Sequence, residues 1–86
     1  MVAQAVFDPA CKWRLIEEYG PDSFEEMEDG RLFFTGGFND RDSLFGWLLS
    51  FGSQVELVSP EKDREDFGAL IERIAKRYKN DFNDDK

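Results

Sequence analysis

The sequence predicts an α+β domain in which helices cover one side of a four-stranded antiparallel sheet. Three observations lead to this prediction. Segments with the two-residue alternation of strands are interleaved with segments that have the period of amphipathic helices. An Asp-Gly turn joins the second and third strands as a hairpin. Together these segments give the order β-α-β-β-α-β, followed by an additional C-terminal helix.

Composition limits the classes of protein that need to be considered. The 86 residues, 41% of them apolar, fit one small domain. A formal charge of −8 argues against non-specific DNA binding, which depends on cations displacing counterions at phosphates. A single cysteine cannot form an internal disulfide and fits a reducing cytoplasm. No apolar run approaches the ~20 residues of a membrane span. We therefore expect a cytoplasmic protein with no membrane contact.

The first strand, AQAVF, places three apolar side chains on one face: Ala3, Ala5 and Phe7. Asp8 is the predicted cap of the helix that follows, and Pro9 fits its first position, where a missing N–H costs nothing. The predicted buried stripe of this helix contains Ala10, Trp13, Ile16 and Tyr19. Gly20 and Pro21 then end the helix.

The hairpin is predicted from Asp29-Gly30, which suits a two-residue type I′ turn. That turn would place Glu28 beside Arg31, Glu26 beside Phe33 and Phe24 beside Thr35 on one face. The other face, taken as the core, would contain Met27, Leu32 and Phe34.

A second helix is predicted from Asn39 or Asp40 to Phe51. Its apolar stripe consists of Leu44, Trp47, Leu48 and Phe51, widened by Phe45 and Leu49. Gly46 is expected to allow close packing, and Gly52 to end the helix in a left-handed conformation.

The fourth strand, QVELV, is expected to point Val55 and Leu57 inward. Ser59 and Pro60 would then cap and begin the last helix. The apolar stripe of that helix contains Phe67, Leu70, Ile71, Ile74 and Tyr78. The domain is predicted to span residues 1–79, and residues 80–86 are expected to form an acidic, disordered tail.

This order suggests the ferredoxin-like sandwich, a split βαβ arrangement whose second sheet face stays uncovered. The residues predicted to share the uncovered face form the candidate partner- or ligand-binding site: Gln4, Val6, Arg31, Phe33 and Thr35. Phe33 and Val6 supply apolar surface there and Arg31 supplies a cation, a combination that favours a partner surface.

The segment WLLSFGSQVELVSPEKDREDFGALIERIAKRY resembles the C-terminal extension, or WCX domain, of bacterial transcription regulators that contain a WYL domain. LLSFG with Pro60 eight residues later is the most specific part of the resemblance, and the VFDP strand and EDGRLFFTGGF hairpin are also similar. The resemblance implies a ferredoxin-like fold. It also implies a regulator with a DNA-binding winged helix-turn-helix and a WYL domain that senses a ligand, in some members a nucleic acid or nucleotide.

In such regulators the extension supports homodimerisation and closes over the WYL domain. This chain has no helix-turn-helix segment and no W-Y-L triad, so we expect it to be an isolated C-terminal domain. Its expected partners are the WYL domain and a second subunit, while a nucleic acid or nucleotide effector would bind only through the full-length protein. The alternative is a free-standing ferredoxin-like domain that binds a small molecule.

An enzyme is not expected, because the sequence has no His, one Cys and no phosphate-binding glycine loop. We also predict no cofactor and no metal. Asp40 and Asp42 fit the start of a helix, where anions are favoured. Trp13, Trp47 and Phe51 are interpreted as core residues. The cations near the end of the last helix either complement its dipole or contact phosphate: Arg73, Lys76, Arg77 and Lys79.

Overall fold

The computed structural model describes the backbone of residues 1–84 and the side chains of residues 1–79. Its four strands are β1 (Val2–Phe7), β2 (Phe24–Glu26), β3 (Leu32–Gly37) and β4 (Val55–Ser59). Its three α-helices are α1 (Lys12–Tyr19), α2 (Arg41–Leu49) and α3 (Glu61–Asp84). Short 3-10 turns lie at Pro9–Cys11, Pro21–Ser23 and Gly52–Gln54. None of the helices in the described part of the chain has the length and apolar character needed to cross a bilayer.

The strands form one sheet in the order β2-β3-β1-β4, and every neighbouring pair is antiparallel. β1 and β2, which lie on either side of β3, therefore run in the same direction. β3 and β4, which lie on either side of β1, run in the opposite direction. The predicted α+β class and the four-stranded antiparallel sheet are confirmed.

The core lies on one face of this sheet. Its side chains come from alternate strand positions and from the covering helices: Ala3, Ala5, Phe7, Cys11, Leu15, Leu32, Phe34, Leu44, Leu48, Phe51, Leu57 and Phe67. Phe7 is fully buried, and its ring lies 4.8 Å from Phe51 and 5.8 Å from Phe34 in edge-to-face contacts. Each large apolar side chain buried in this way contributes roughly 1.5–3 kcal/mol.

The predicted two-residue type I′ turn is wrong. Met27 donates its N–H to the Arg31 carbonyl at 2.7 Å, so the loop contains three residues, Glu28 to Gly30. Within it only Gly30 has a positive φ, +91°, whereas a type I′ turn would require one at Asp29 as well. The register of β2 moves by one residue as a result. Phe24 lies opposite Phe34 against the core, and Glu25 lies opposite Phe33 on the other face.

The predicted stripe of α1 is wrong at Ala10 and Trp13. Both are exposed, Trp13 at 72%, whereas Cys11 and Leu15 are buried. Of the other predicted members, Ile16 is half-buried and the Tyr19 ring lies 5.2 Å from the buried ring of Phe34. The 3-10 turn at Pro9–Cys11 comes before the helix and places Cys11 and Leu15, one turn apart, over the sheet. Asp8 makes no side-chain cap; its backbone carbonyl accepts the Cys11 N–H at 3.0 Å.

The second helix begins as predicted but ends at Leu49, two residues before the predicted end at Phe51. The Asp40 carboxylate accepts the Ser43 N–H at 2.8 Å as an N-cap. Gly52 has the expected positive φ, +64°, but it begins the 3-10 turn that follows the helix. Leu44 and Leu48 are buried. The expected close approach at Gly46 is wrong, because a Cβ added there would meet no atom within 4 Å.

Ser59 is the last residue of β4 and is not the cap of α3. Its hydroxyl donates to Gln4 Oε1 at 2.9 Å, and the first carbonyl of the helix comes from Pro60, which accepts the Arg64 N–H at 2.9 Å. The register between β1 and β4 shifts between Gln4 and Ala5, where β4 contains an extra residue.

The third helix packs through its first half only. Phe67 is buried and its ring lies 4.9 Å from that of Phe45, whereas Ile71 and Tyr78 are 45% and 63% exposed. The described residues extend 49 Å along the longest axis and 25 Å or less along the others. Residues 80–84 of the expected tail belong to this helix, and residues 85 and 86 lie outside the described residues.

Candidate functional site

The sheet face opposite the core brings together the residues that the sequence assigned to a binding surface. In the β1–β3 pair, Gln4 lies opposite Thr35 and Val6 lies opposite Phe33. These residues alternate with the buried Ala5 and Phe34, so their side chains project from the uncovered face. The register therefore places these four residues on one face, and their role in binding stays a prediction.

Four residues form a continuous row across the uncovered face, which we call the central row: Glu25, Phe33, Val6 and Glu56, one from each strand in sheet order. The two apolar members are half-buried and occupy the middle, whereas the two glutamates are exposed at the edges. This row presents an apolar centre between two carboxylates. Arg64 of α3 pairs with Glu56 at 2.8 Å, whereas no ion pair within residues 1–79 involves Glu25. Such a surface suits a partner that places an apolar side chain over the centre and a cation near Glu25.

A second, polar row lies beside the central row. It contains Thr35 on β3, Gln4 on β1 and Ser59 on β4. The Ser59 hydroxyl donates a hydrogen bond to the Gln4 side-chain oxygen. The NH₂ group of the Gln4 side chain therefore remains available as a donor to a partner. The two rows therefore differ in chemistry, and this row can give the surface hydrogen-bonding specificity.

Arg31 is half-buried at the end of the face that lies next to the hairpin turn. Its guanidinium forms a 2.7 Å ion pair with Asp29, which also accepts the Arg31 N–H at 3.0 Å. These two hydrogen bonds lower the pKa of Asp29, the backbone bond having the larger effect. Since Asp29 compensates its charge, Arg31 does not make this face basic.

Two shallow hollows lie at the ends of the central row. One, of about 250 Å³, includes Glu25, Phe33 and Thr35 in its lining, and the other, of about 140 Å³, includes Val6, Arg31 and Glu56. Pockets for drug-sized ligands usually have volumes of about 300–1,000 Å³. The shape of the face is therefore better suited to a polypeptide than to an enclosed small molecule.

The helix layer contains polar contacts that the sequence did not reveal. The Trp47 indole N–H donates to Glu18 at 2.6 Å, and the Arg14 guanidinium lies over the Phe51 ring at 3.8 Å. The Trp47 hydrogen bond is the main cause of a lowered pKa at Glu18. These contacts join α1 to α2, but no sequence motif identifies a hydrogen bond between residues 29 positions apart.

An ion-pair cluster fixes the start of α3 against α2. Arg41 contacts Asp63 and Asp66, both at 2.6 Å, and Lys62 contacts Asp66 at 3.1 Å. The Lys62 hydrogen bond is the main cause of a lowered pKa at Asp66. Asp63 is only 7% exposed, so this cluster anchors the helix and has a structural role.

Comparison with known proteins identifies the family. The model of the WCX domain matches residues 1–75, and the chain belongs to this family of C-terminal domains of WYL-type regulators. No curated protein matches the chain. No solved structure matches it either.

Proposed function

We propose that this chain is an interaction and effector-coupling domain of a WYL-type bacterial transcription regulator and that it acts in the cytoplasm without catalysis. The observation that carries the proposal is the central row, an apolar pair between two carboxylates on an uncovered sheet face of a WCX domain. Its partners are the WYL domain of the same regulator and a second subunit of a homodimer.

Ligand binding in the WYL domain can be coupled to this face if the two ligand states of the WYL domain contact the face differently. If the WYL domain contacts the central row more closely in its ligand-bound state, ligand binding shifts the equilibrium between arrangements of the regulator. The DNA-binding element and the effector site belong to other parts of the regulator in this proposal. The acidic charge of the chain is consistent with this division of roles.

A substitution at the centre of the row tests the proposal. Phe33→Asp places a charge in the apolar centre while leaving the buried face untouched. We expect it to weaken binding to the separately produced WYL domain of the regulator at least tenfold in isothermal titration calorimetry. Trp13→Asp is the matched control, because Trp13 is an exposed aromatic residue on α1, away from this face.

Unchanged affinity in the Phe33 variant, with folding verified by circular dichroism, would contradict the proposal. The alternative, a free-standing domain that binds a small molecule, has weaker support because both hollows on the face are small. It would gain support if the chain did not bind the WYL domain and bound an amino acid or nucleotide instead.

A further inference from the structure

The sheet has an edge at β4, because this strand pairs only with β1. Asp8 donates its N–H to the Gln54 carbonyl at the end of this pair. Since the bonding direction alternates along a strand, Glu56 also bonds to β1, whereas Val55 and Leu57 direct backbone groups away from the sheet. An edge strand of this kind is a template for pairing with another strand.

Part of this edge is already occupied by α3. Arg64 donates to the Leu57 carbonyl at 2.8 Å, which confirms that Leu57 faces outward. Within the described residues, no hydrogen bond uses the Val55 carbonyl or the Leu57 N–H. The edge therefore keeps one acceptor and one donor for a partner backbone.

A hollow of about 260 Å³ lies beside this edge, between β4 and α3. Its lining is mainly apolar and includes Leu57, Phe67 and Ile71. The volume is below the ~300–1,000 Å³ that is usual for drug-sized ligands. The hollow is therefore better matched to one apolar side chain of a polypeptide.

Gly68 lines the hollow from the side of α3. Its φ is not positive, and a Cβ added to it would meet no atom within 4 Å. Neither the backbone conformation nor the packing of this chain therefore requires a glycine, although glycine is unfavourable inside a helix. The missing side chain keeps the hollow open, which points to an occupant from outside the chain.

Three exposed glutamates follow the solvent side of the hollow along α3, on the same side of the helix as Gly68: Glu61, Glu65 and Glu72. Within residues 1–79, no ion pair involves them. Of the cations on this side of the helix, Arg64 is paired with Glu56, and Lys76 lies one turn beyond Glu72. The hollow therefore has an uncompensated acidic border.

We propose that the edge of β4 accepts an extended segment of another polypeptide as a fifth strand. The segment places an apolar side chain in the hollow over Gly68 and cations beside the glutamates of α3. Side chains two positions apart share one face of a strand, so the matching sequence has a cation two positions before and after the apolar residue. The four strands of this chain contain no cation, so a strand of a second copy does not match.

A synthetic peptide tests this site. The acetylated and amidated peptide TKTLTKT has a leucine with a lysine two positions away on each side. We expect it to bind the 86-residue chain with a Kd of about 1 mM or below and to shift the amide signals of Val55 and Leu57 in ¹H–¹⁵N correlation spectra. The peptide TTKLKTT has the same composition but places its lysines on the opposite face from the leucine. It is expected to bind at least fivefold more weakly.

Gly68→Leu fills the hollow from within the chain. We expect it to weaken binding of TKTLTKT at least tenfold without lowering the unfolding temperature, because leucine favours a helix more than glycine does. Gly46→Leu is the matched control, since Gly46 also lies inside a helix with open space around it, but on α2. Binding to this variant is expected to stay within twofold of the wild type.

Charge reversal tests the acidic border. Glu65→Lys with Glu72→Lys is expected to weaken peptide binding at least fivefold. Glu17→Lys with Glu28→Lys is the matched control, because it makes the same change in net charge at exposed positions on α1 and in the hairpin loop. This control is expected to bind within twofold of the wild type.

Wild-type affinity in Gly68→Leu would overturn the inference, as would equal losses in the two charge variants or equal binding of the two peptides. The same signal shifts caused by leucine amide would assign the hollow to a small molecule, and shifts on concentrating the chain alone would assign the edge to a second copy. Either result would overturn the proposed occupant. Phe33→Asp is expected to leave peptide binding unchanged, so this test and the test of the proposed function fail separately.

Discussion

Val6 and Phe33 lie directly opposite each other on neighbouring antiparallel strands, on the sheet face opposite the core. Both side chains are half-buried by their neighbours in the sheet. The sheet therefore has two faces with different roles. The core face stabilises the fold, and the face with Val6 and Phe33 is available for contact. Each of the two phenylalanines at the centre of β3 belongs to one of these faces.

Phe33 and Phe34 are therefore expected to respond differently to the same substitution. Phe34→Ala removes a fully buried ring and should reduce the free energy of unfolding by about 3–5 kcal/mol. Phe33→Ala should cost clearly less, because its ring is only half-buried, but should weaken partner binding. Urea denaturation and calorimetric titration measure the two effects. Equal losses of stability would contradict the assignment of faces.

The sequence predicts the faces of β1 and β3 correctly because alternation alone determines them. It does not predict the register of β2, since Asp29-Gly30 is compatible with a two-residue and a three-residue loop. The difference matters for the site. It moves Phe24 to the core and brings Glu25 into the central row, so an acidic member of the candidate surface was missed.

The helix α1 shows a second limit of sequence patterns. Both Ala10-Trp13-Ile16 and Cys11-Leu15 are apolar sets with helical spacing, and hydrophobicity favours the one with the tryptophan. The 3-10 turn after Asp8 selects the other set. That turn depends on the backbone conformation between the end of β1 and Pro9. The spacing of apolar residues in a helix carries no information about it.

The bond between Ser59 and Gln4 gives a prediction about the polar row. Ser59→Ala is expected to reduce the free energy of unfolding by about 0.5–1.5 kcal/mol, the usual contribution of one hydrogen bond. Because the hydroxyl bonds to Gln4 and not to α3, the cost should be largely absent when Gln4 is already alanine. A double-mutant cycle by urea denaturation measures this coupling. Additive costs would show that the hydroxyl acts elsewhere.

Two glycines near α2 are expected to respond in opposite directions to alanine. Gly46 lies inside the helix with open space around it, so Gly46→Ala should stabilise the domain by up to about 1 kcal/mol. Gly52 has a φ of +64°, and alanine there should destabilise it by about 1–2 kcal/mol despite equally open space. Thermal unfolding of the two variants provides the comparison. A gain of stability at Gly52 would exclude the left-handed conformation.

Asp40 is expected to make stability depend on pH at the start of α2. The N–H of Ser43 donates to its carboxylate and holds the pKa of Asp40 below its ordinary value. The stabilisation from this cap is therefore fully present above the pKa that Asp40 has in the unfolded chain. It is lost as the pH falls through the lower pKa of the folded state, where the carboxyl group becomes protonated.

The variant Asp40→Ala should consequently unfold at a lower temperature than the wild type at neutral pH. The difference between the two proteins should shrink as the solution is acidified, because protonation removes the same interaction from the wild type. Asp22→Ala is the control, since it replaces an exposed aspartate in a 3-10 turn that has no side-chain cap. Thermal unfolding followed by circular dichroism across the acidic range measures the difference, and a constant gap between Asp40→Ala and the wild type would show that the Asp40 charge does not stabilise α2.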